Sequence, residues 1–166
     1  VLVEPMPPDL LVWLVNEWGA APRAAAGEEG RPYPDPAPLG AAAGNLAEVA
    51  DRLHRIFAAP HITERVRLLA PLLAETGVRP ALILASGLPS ESWHVDDPRH
   101  ALLAAAALTL RHQLAGHDPA RVGVCTGQHC ADAYIDASPG GQRRFCSVTC
   151  QNRARVAAWR RRRGSG

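Results

Sequence analysis

The sequence contains no lysine. All 18 of its Lys/Arg positions are arginine, a bias that fits GC-rich coding. Aromatic residues make up only 5% of the 166 positions, so leucine, valine, isoleucine and alanine must build the core, which favours a helix-rich one. Cysteine occurs at Cys125, Cys130, Cys146 and Cys150 and nowhere else, so no disulfide framework staples the bulk of the chain; a chain of this length can bury a core without one. No apolar run reaches the roughly 18 residues of a transmembrane helix. The opening "VLVEPMPPDLLVWLVNEWG" lacks a basic leader and carries Glu4, Asp9 and Glu17 close to its apolar residues, unlike a signal peptide. A cytoplasmic protein with no membrane association is expected, a setting that disfavours disulfides. No phosphate-binding glycine loop, nucleophile elbow or HExxH motif occurs. Nothing therefore argues for an enzyme. Only a compact pocket gathering Asn16, His94 or Trp93 with buried charge would do so.

The net charge of +2 hides a strong asymmetry. Residues 1–119 hold 9 arginines against 14 aspartates and glutamates, a net of −5. Residues 120–166 hold 9 arginines against 2 aspartates, a net of +7. An acidic body thus carries a basic module, and basic modules seek phosphates. The expected organisation is a helical α+β domain over 1–119 and a small finger over 120–166.

Along the body, "DLLVWLVNEW" (9–18) has helical apolar spacing with Asp9 as its N-cap. Residues 19–44 are rich in Gly, Ala and Pro and read as an irregular loop. "GNLAEVADRLHRIFAA" predicts an amphipathic helix capped by Asn45. "TERVRLLAPLLAETG" predicts a second, interrupted or kinked by Pro71 and closed by Gly77. Residues 81–85 and 92–95 form a short strand pair around a turn at Gly87 to Ser90. A further helix follows, with Asp97 at the cap, Pro98 at the first position and Gly116 at the end. His54 and His112 lie on these helices with no second ligand at helical spacing and read as structural.

The cysteine spacing is C-x4-C, fifteen residues, then C-x3-C. Two thiolate pairs in a chain with no other cysteine point to one tetrahedral, structural zinc ion held by Cys125, Cys130, Cys146 and Cys150. Four cysteines fill the coordination sphere, which leaves no open position for catalysis. His129, beside Cys130, is an alternative ligand to one of them; disulfides or a redox switch are the other readings of the four thiols. "DAYID" and "QRRF" can form a hairpin with "SPGG" as its turn. The second cysteine pair opens the last helix, giving a treble-clef-like order of knuckle, hairpin and helix. On that helix Val156 and Trp159 are expected to cover a small core with Phe145 and Tyr134. Arginine offers a planar fork to phosphate and to guanine. Arg143, Arg144, Arg153 and Arg155 are the expected DNA contacts, with Arg160, Arg161, Arg162 and Arg163 adding phosphate contacts. Asn152 either touches a base or ties the hairpin to the helix.

The segment from Cys125 to Arg163 resembles the CGNR zinc finger of bacterial transcription regulators. Tyr134, Asp136, Ser138, Arg143, Arg144 and Phe145 match the middle of that pattern, and Asn152 and Arg153 match the end of its signature. Gln151 stands where the family has glycine. "LVWLVNEWG" resembles the opening motif of the ABATE-type domain that precedes this finger, described as a stress-induced transcription regulator. Asn16 falls at its asparagine, Val12 and Trp13 replace its Leu-Asp, and Glu17 replaces its threonine. The resemblance implies a DNA-binding regulator whose first domain senses a small-molecule effector. One finger buries little DNA surface, so a homodimer or a partner protein is expected. The alternative is a zinc-stabilised interaction module that docks on an acidic protein or on RNA.

Overall fold

A computed structural model describes residues 1–40 and 45–164. The chain opens with β1 (Leu2–Val3), α1 (Pro8–Trp18) and α2 (Ala20–Ala26). A 3-10 turn (Ala37–Leu39) precedes α3 (Leu46–Ala58) and α4 (Ile62–Thr76). The antiparallel strands β2 (Arg79–Ala85) and β3 (Leu88–His94) then lead to α5 (Ala101–Gly116). The last part holds β4 (Val122–Val124), β5 (Ala133–Ile135) and α6 (Val148–Gly164). The class is α+β and mostly helical. Among the described residues no helix is long and apolar enough to cross a membrane.

Helix α5 is the spine. It is apolar on almost every side, and Leu102, Leu103, Ala104, Ala106, Ala107, Leu108 and Leu110 are all buried, as expected of a helix surrounded by others. Leu11, Leu14 and Val15 of α1, Leu53, Ile56 and Phe57 of α3, and Leu69 and Leu72 of α4 pack with Leu102, Leu103, Ala106, Ala107 and Leu110 into the main cluster, while Ala104 and Leu108 group with Val3 and Val95 in a second. Val122 of β4 and Ala133 of β5 belong to the main cluster too. The small strand pair after α5 is thus built into the core of the body.

Several local expectations change. Pro7, not Asp9, caps α1; Asp9 lies in the first turn, where its charge suits the positive end of the helix dipole. The stretch 19–44 is not a continuous irregular loop: it contains α2 and the 3-10 turn, and its residues 41–44 lie outside the described residues. The reason is Arg23. Its buried guanidinium donates to the carbonyls of Glu17 (3.2 Å), Glu28 (2.8 Å) and Arg31, and lies 4.4 Å from the Tyr33 ring centroid. Tyr33 in turn stacks on Trp18 at 4.7 Å. Helix α4 runs through Pro71 without interruption. The turn between β2 and β3 is tighter than Gly87 to Ser90: it is Ser86–Gly87, both at positive φ (52° and 81°), the conformation that a two-residue hairpin requires. The last body helix begins as a 3-10 turn (Pro98–His100), with the Asp97 side chain accepting from the Arg99 N–H.

Candidate metal centre

The four cysteines converge from two elements. Strand β4 delivers Cys125 to a tight knuckle that ends at Cys130. There the Cys125 N–H donates to the Asp132 carbonyl at 2.8 Å, and the Gly127 N–H points at Cys125 Sγ at 3.4 Å. A Cβ at Gly127 would stand 3.2 Å from that sulfur and 3.5 Å from Cys150 Cβ, so the knuckle wraps the cluster closely and a larger residue here would crowd the sulfur. The second pair opens α6. Ser147 accepts the Cys150 N–H on its hydroxyl at 3.2 Å, the geometry of a helix N-cap. Cys150 therefore sits in the first helical turn, where the dipole favours a thiolate.

The donor set fits zinc. The four Sγ atoms lie within 4.8 Å of one another; Cys146 is 3.6 Å from both Cys130 and Cys150. A tetrahedron with Zn–S bonds of about 2.3 Å has edges of about 3.8 Å. A disulfide needs about 2.05 Å, and all four thiols are free. His129 is exposed, at φ 59°, and is not one of the converging ligands. Burial pushes the Cys130 thiol up to about 12 and raises Cys146 as well. Four thiolates so close together form only when a cation displaces their protons, so metal loading releases protons. The site is that of one structural zinc ion, which would cross-link the knuckle to the helix.

The hairpin differs from the expected one. Strand β5 pairs with β4, not with "QRRF": Val122 faces Ile135, Gly123 faces Tyr134 and Val124 faces Ala133. Residues 142–145 return irregularly because side chains replace the ladder. The Tyr134 hydroxyl donates to the Arg143 carbonyl at 2.8 Å. Asp136 accepts the N–H groups of Ser138 and Arg143, both at 2.9 Å. Bonds from the Ser138 hydroxyl and the Arg143 N–H hold that carboxyl near 2, below its ordinary range. The Arg121 guanidinium fastens the turn, donating to Asp136 O (3.0 Å) and Ser138 O (2.5 Å). Gly123 leaves room for the tyrosine: a Cβ there would come 2.8 Å from its hydroxyl.

The body grips this hairpin through two polar side chains. Asn16 of α1 both donates to the Ala133 carbonyl (3.1 Å) and accepts the Ala133 N–H (2.7 Å), standing in for a neighbouring strand. His54 of α3 donates through Nε2 to the Ala131 carbonyl at 2.7 Å. The motif asparagine Asn16 is visible in the sequence, but its grip on Ala133 is not. A groove of about 890 Å³ opens beside it, lined among others by Asp9, Asn16, His117, Arg121, Asp132 and Arg143. Trp93 and His94 lie elsewhere, on β3, so they do not gather with Asn16.

The basic side chains divide. Arg143 is exposed but engaged: its guanidinium donates to the carbonyls of Phe145 (2.8 Å) and Cys146 and lies 5.4 Å from the Tyr134 ring centroid. Arg144, Asn152, Arg153, Arg155, Arg160, Arg161, Arg162 and Arg163 are exposed, with Arg163 over the Trp159 ring at 4.5 Å. Val156 and Trp159 do not cover a core with Tyr134 and Phe145. They are 48% and 50% exposed, so that face of α6 is not covered by the hairpin.

A knuckle on a strand pair, a side-chain-held return and a helix with one cysteine just before it and one in its first turn define a zinc finger. Residues 121–163 match the family model of the CGNR zinc finger, so the chain carries that finger. The comparison with curated proteins found no match.

Proposed function

We propose that the protein is a cytoplasmic transcription regulator that binds duplex DNA through α6 of its zinc finger. The observation that carries this reading is the placement of the arginines. Arg153, Arg155, Arg160, Arg161, Arg162 and Arg163 are exposed along one helix, whose first turn is pinned by the cysteine cluster. A rigidly presented basic helix suits the major groove and its flanking phosphates. Arg144, exposed beside the helix start, extends the basic surface. Arg143, exposed as well, adds its charge to that surface while its bonds shape the loop before Cys146. The N-terminal part, residues 1–119, acts as a sensor of a small-molecule effector in a stress response. The groove beside Asn16 is its seat, since it touches both the body's grip on β5 and the segment at Cys146.

The test is a salt titration of zinc-loaded protein on a mixed-sequence duplex, followed by fluorescence anisotropy with and without a strong chelator. Each phosphate contact contributes a slope of about 0.9 in log affinity against log salt. A slope worth about four contacts or more, abolished by the chelator, is expected; a flat response would sink the reading. The half-exposed Val156 and Trp159 favour a second one. An apolar pair among arginines also suits an acidic protein partner, and salt-sensitive capture of such a partner without DNA binding would select it.

A further inference from the structure

Strand β2 is the open edge of a three-stranded sheet of order β1-β3-β2. Sheets protect such edges with charges, proline, bulges or a covering loop, because an unpaired row of N–H and C=O groups templates pairing with another chain. Here Pro80 stands at the strand's start, and from Ala81 to Ala85 the edge is apolar and uncharged. The same hairpin carries the most exposed leucines among the described residues: Leu82 and Leu84 at 76% and Leu88 at 70%.

The turn fixes which backbone groups face outward. A two-residue loop makes its flanking pair, Ala85 and Leu88, a hydrogen-bonded one, and the pattern alternates along the ladder. Ala85, Ile83 and Ala81 therefore direct their backbone groups to β3. Leu84, Leu82 and Pro80 direct theirs to the open side, where Pro80 has no N–H to leave unpaired.

The segment Ala81-Leu82-Ile83-Leu84-Ala85 reads the same in both directions. Antiparallel pairing across a two-fold axis through Ile83 sets Ile83 against Ile83 of a second copy, Leu82 against Leu84, and Ala81 against Ala85. Each Leu82–Leu84 pair then exchanges both N–H···O=C bonds, so every outward N–H of these leucines gains an acceptor. All the paired leucine side chains gather on one face of the joined sheet. Beyond the segment Arg79 faces Gly87, so like charges do not meet; Arg79 is already paired with Asp96 at 2.8 Å. We infer that β2 is a homodimerisation edge, joining two copies into a continuous sheet of order β1-β3-β2-β2-β3-β1. The palindrome selects a second copy over a foreign strand. A foreign partner requires only an apolar edge, whereas an isologous contact requires the edge to complement itself. This inference is independent of what α6 binds.

Sedimentation of the zinc-loaded full chain at tens of micromolar tests it. The wild type is expected to run as a dimer and the Leu82→Lys, Leu84→Lys double variant as a monomer. Both side chains are exposed, so zinc content and far-UV circular dichroism should not change. Register is read by Ile83→Cys: facing residues of a non-hydrogen-bonded pair lie about 4.5 Å apart at Cα, within disulfide range. Mild oxidation should therefore link two chains through position 83, and not through Leu88→Cys, which lies one strand further from the axis. A wild-type monomer, a dimer indifferent to the double variant, or cross-linking at position 88 instead of 83 overturns the inference.

Discussion

Cys125 and Cys130 sit on the knuckle between two paired strands that belong to the main core, whereas Cys146 and Cys150 flank the start of a helix whose other described side chains are exposed or partly exposed. The first pair is held by apolar burial at Val122 and Ala133 and by the Asn16 and His54 contacts. The second is held by hydrogen bonds that Thr126 and Tyr134 donate and Asp136 accepts, and by the metal that the cysteines bind. Burial of the body's leucines is indifferent to metal; the direction in which α6 points is not. The finger is thus half a piece of the body and half a metal-dependent appendage, and only the second half carries the exposed arginine helix.

Zinc removal should break the comparison most visibly. Structural zinc contributes folding free energy outright, about 10–16 kcal/mol in isolated finger peptides. Here the loss should fall on one side only. With a chelator, or in Cys146→Ser, hydrogen exchange should become fast from 137 to 163 while α5 stays protected. Equal loss of protection in α5 would mean that the body, too, depends on the metal. Loading should also weaken as pH falls, because raised thiols such as Cys130 hold their protons more tightly.

Asn16 tests the other half. Replacing it with alanine leaves the N–H and C=O of Ala133 without their partner; an unsatisfied buried group costs about 1–3 kcal/mol. Asn16→Ala should lower the unfolding free energy of the zinc-loaded chain by that order, read as an earlier denaturation midpoint. Asn16→Asp should not rescue it, since a carboxylate accepts from the Ala133 N–H but repels its carbonyl. A neutral Asn16→Ala would show that the core contacts alone anchor β5.

These two halves were not equally legible in the sequence. Thiolate spacing is a local signal, and Cys125, Cys130, Cys146 and Cys150 could be assigned before any fold was known. The helices α1, α3 and α4 followed from apolar periodicity for the same reason. What could not be read was long-range. Nothing near Ala133 announces that Asn16, 117 positions earlier, completes its hydrogen bonds. The segment nearest to β5 across the "SPGG" turn is "QRRF", whereas its true partner lies before the knuckle at Val122–Val124. Arg23 looked like one more residue of a Pro-rich loop because its acceptors are backbone carbonyls, which composition does not reveal. Val156 and Trp159 have core spacing, and it was their apolar character that misled: spacing cannot say whether a helix has anything to lie against.

Asp136 sits at the joint between the halves, and its effect should be the smallest. Its N–H donates to Arg121 O on the anchored side at 2.7 Å, and its carboxylate accepts from Arg143 on the metal-held side. Hydrogen bonds hold the folded carboxyl near 2, against about 3.9 in an unfolded chain. A depressed folded value means that the unfolded state takes up the proton first. The stabilisation is therefore complete above the unfolded value and is lost as pH falls from about 5 toward 2. Zinc release also destabilises the finger in acid, so the test is a difference. Stability against pH should fall more steeply in the wild type than in Asp136→Asn across this window, and the two curves should run parallel above it. Parallel curves throughout would mean that the carboxylate's bonds contribute nothing to the joint, and that Tyr134 and Arg121 hold the return segment without it.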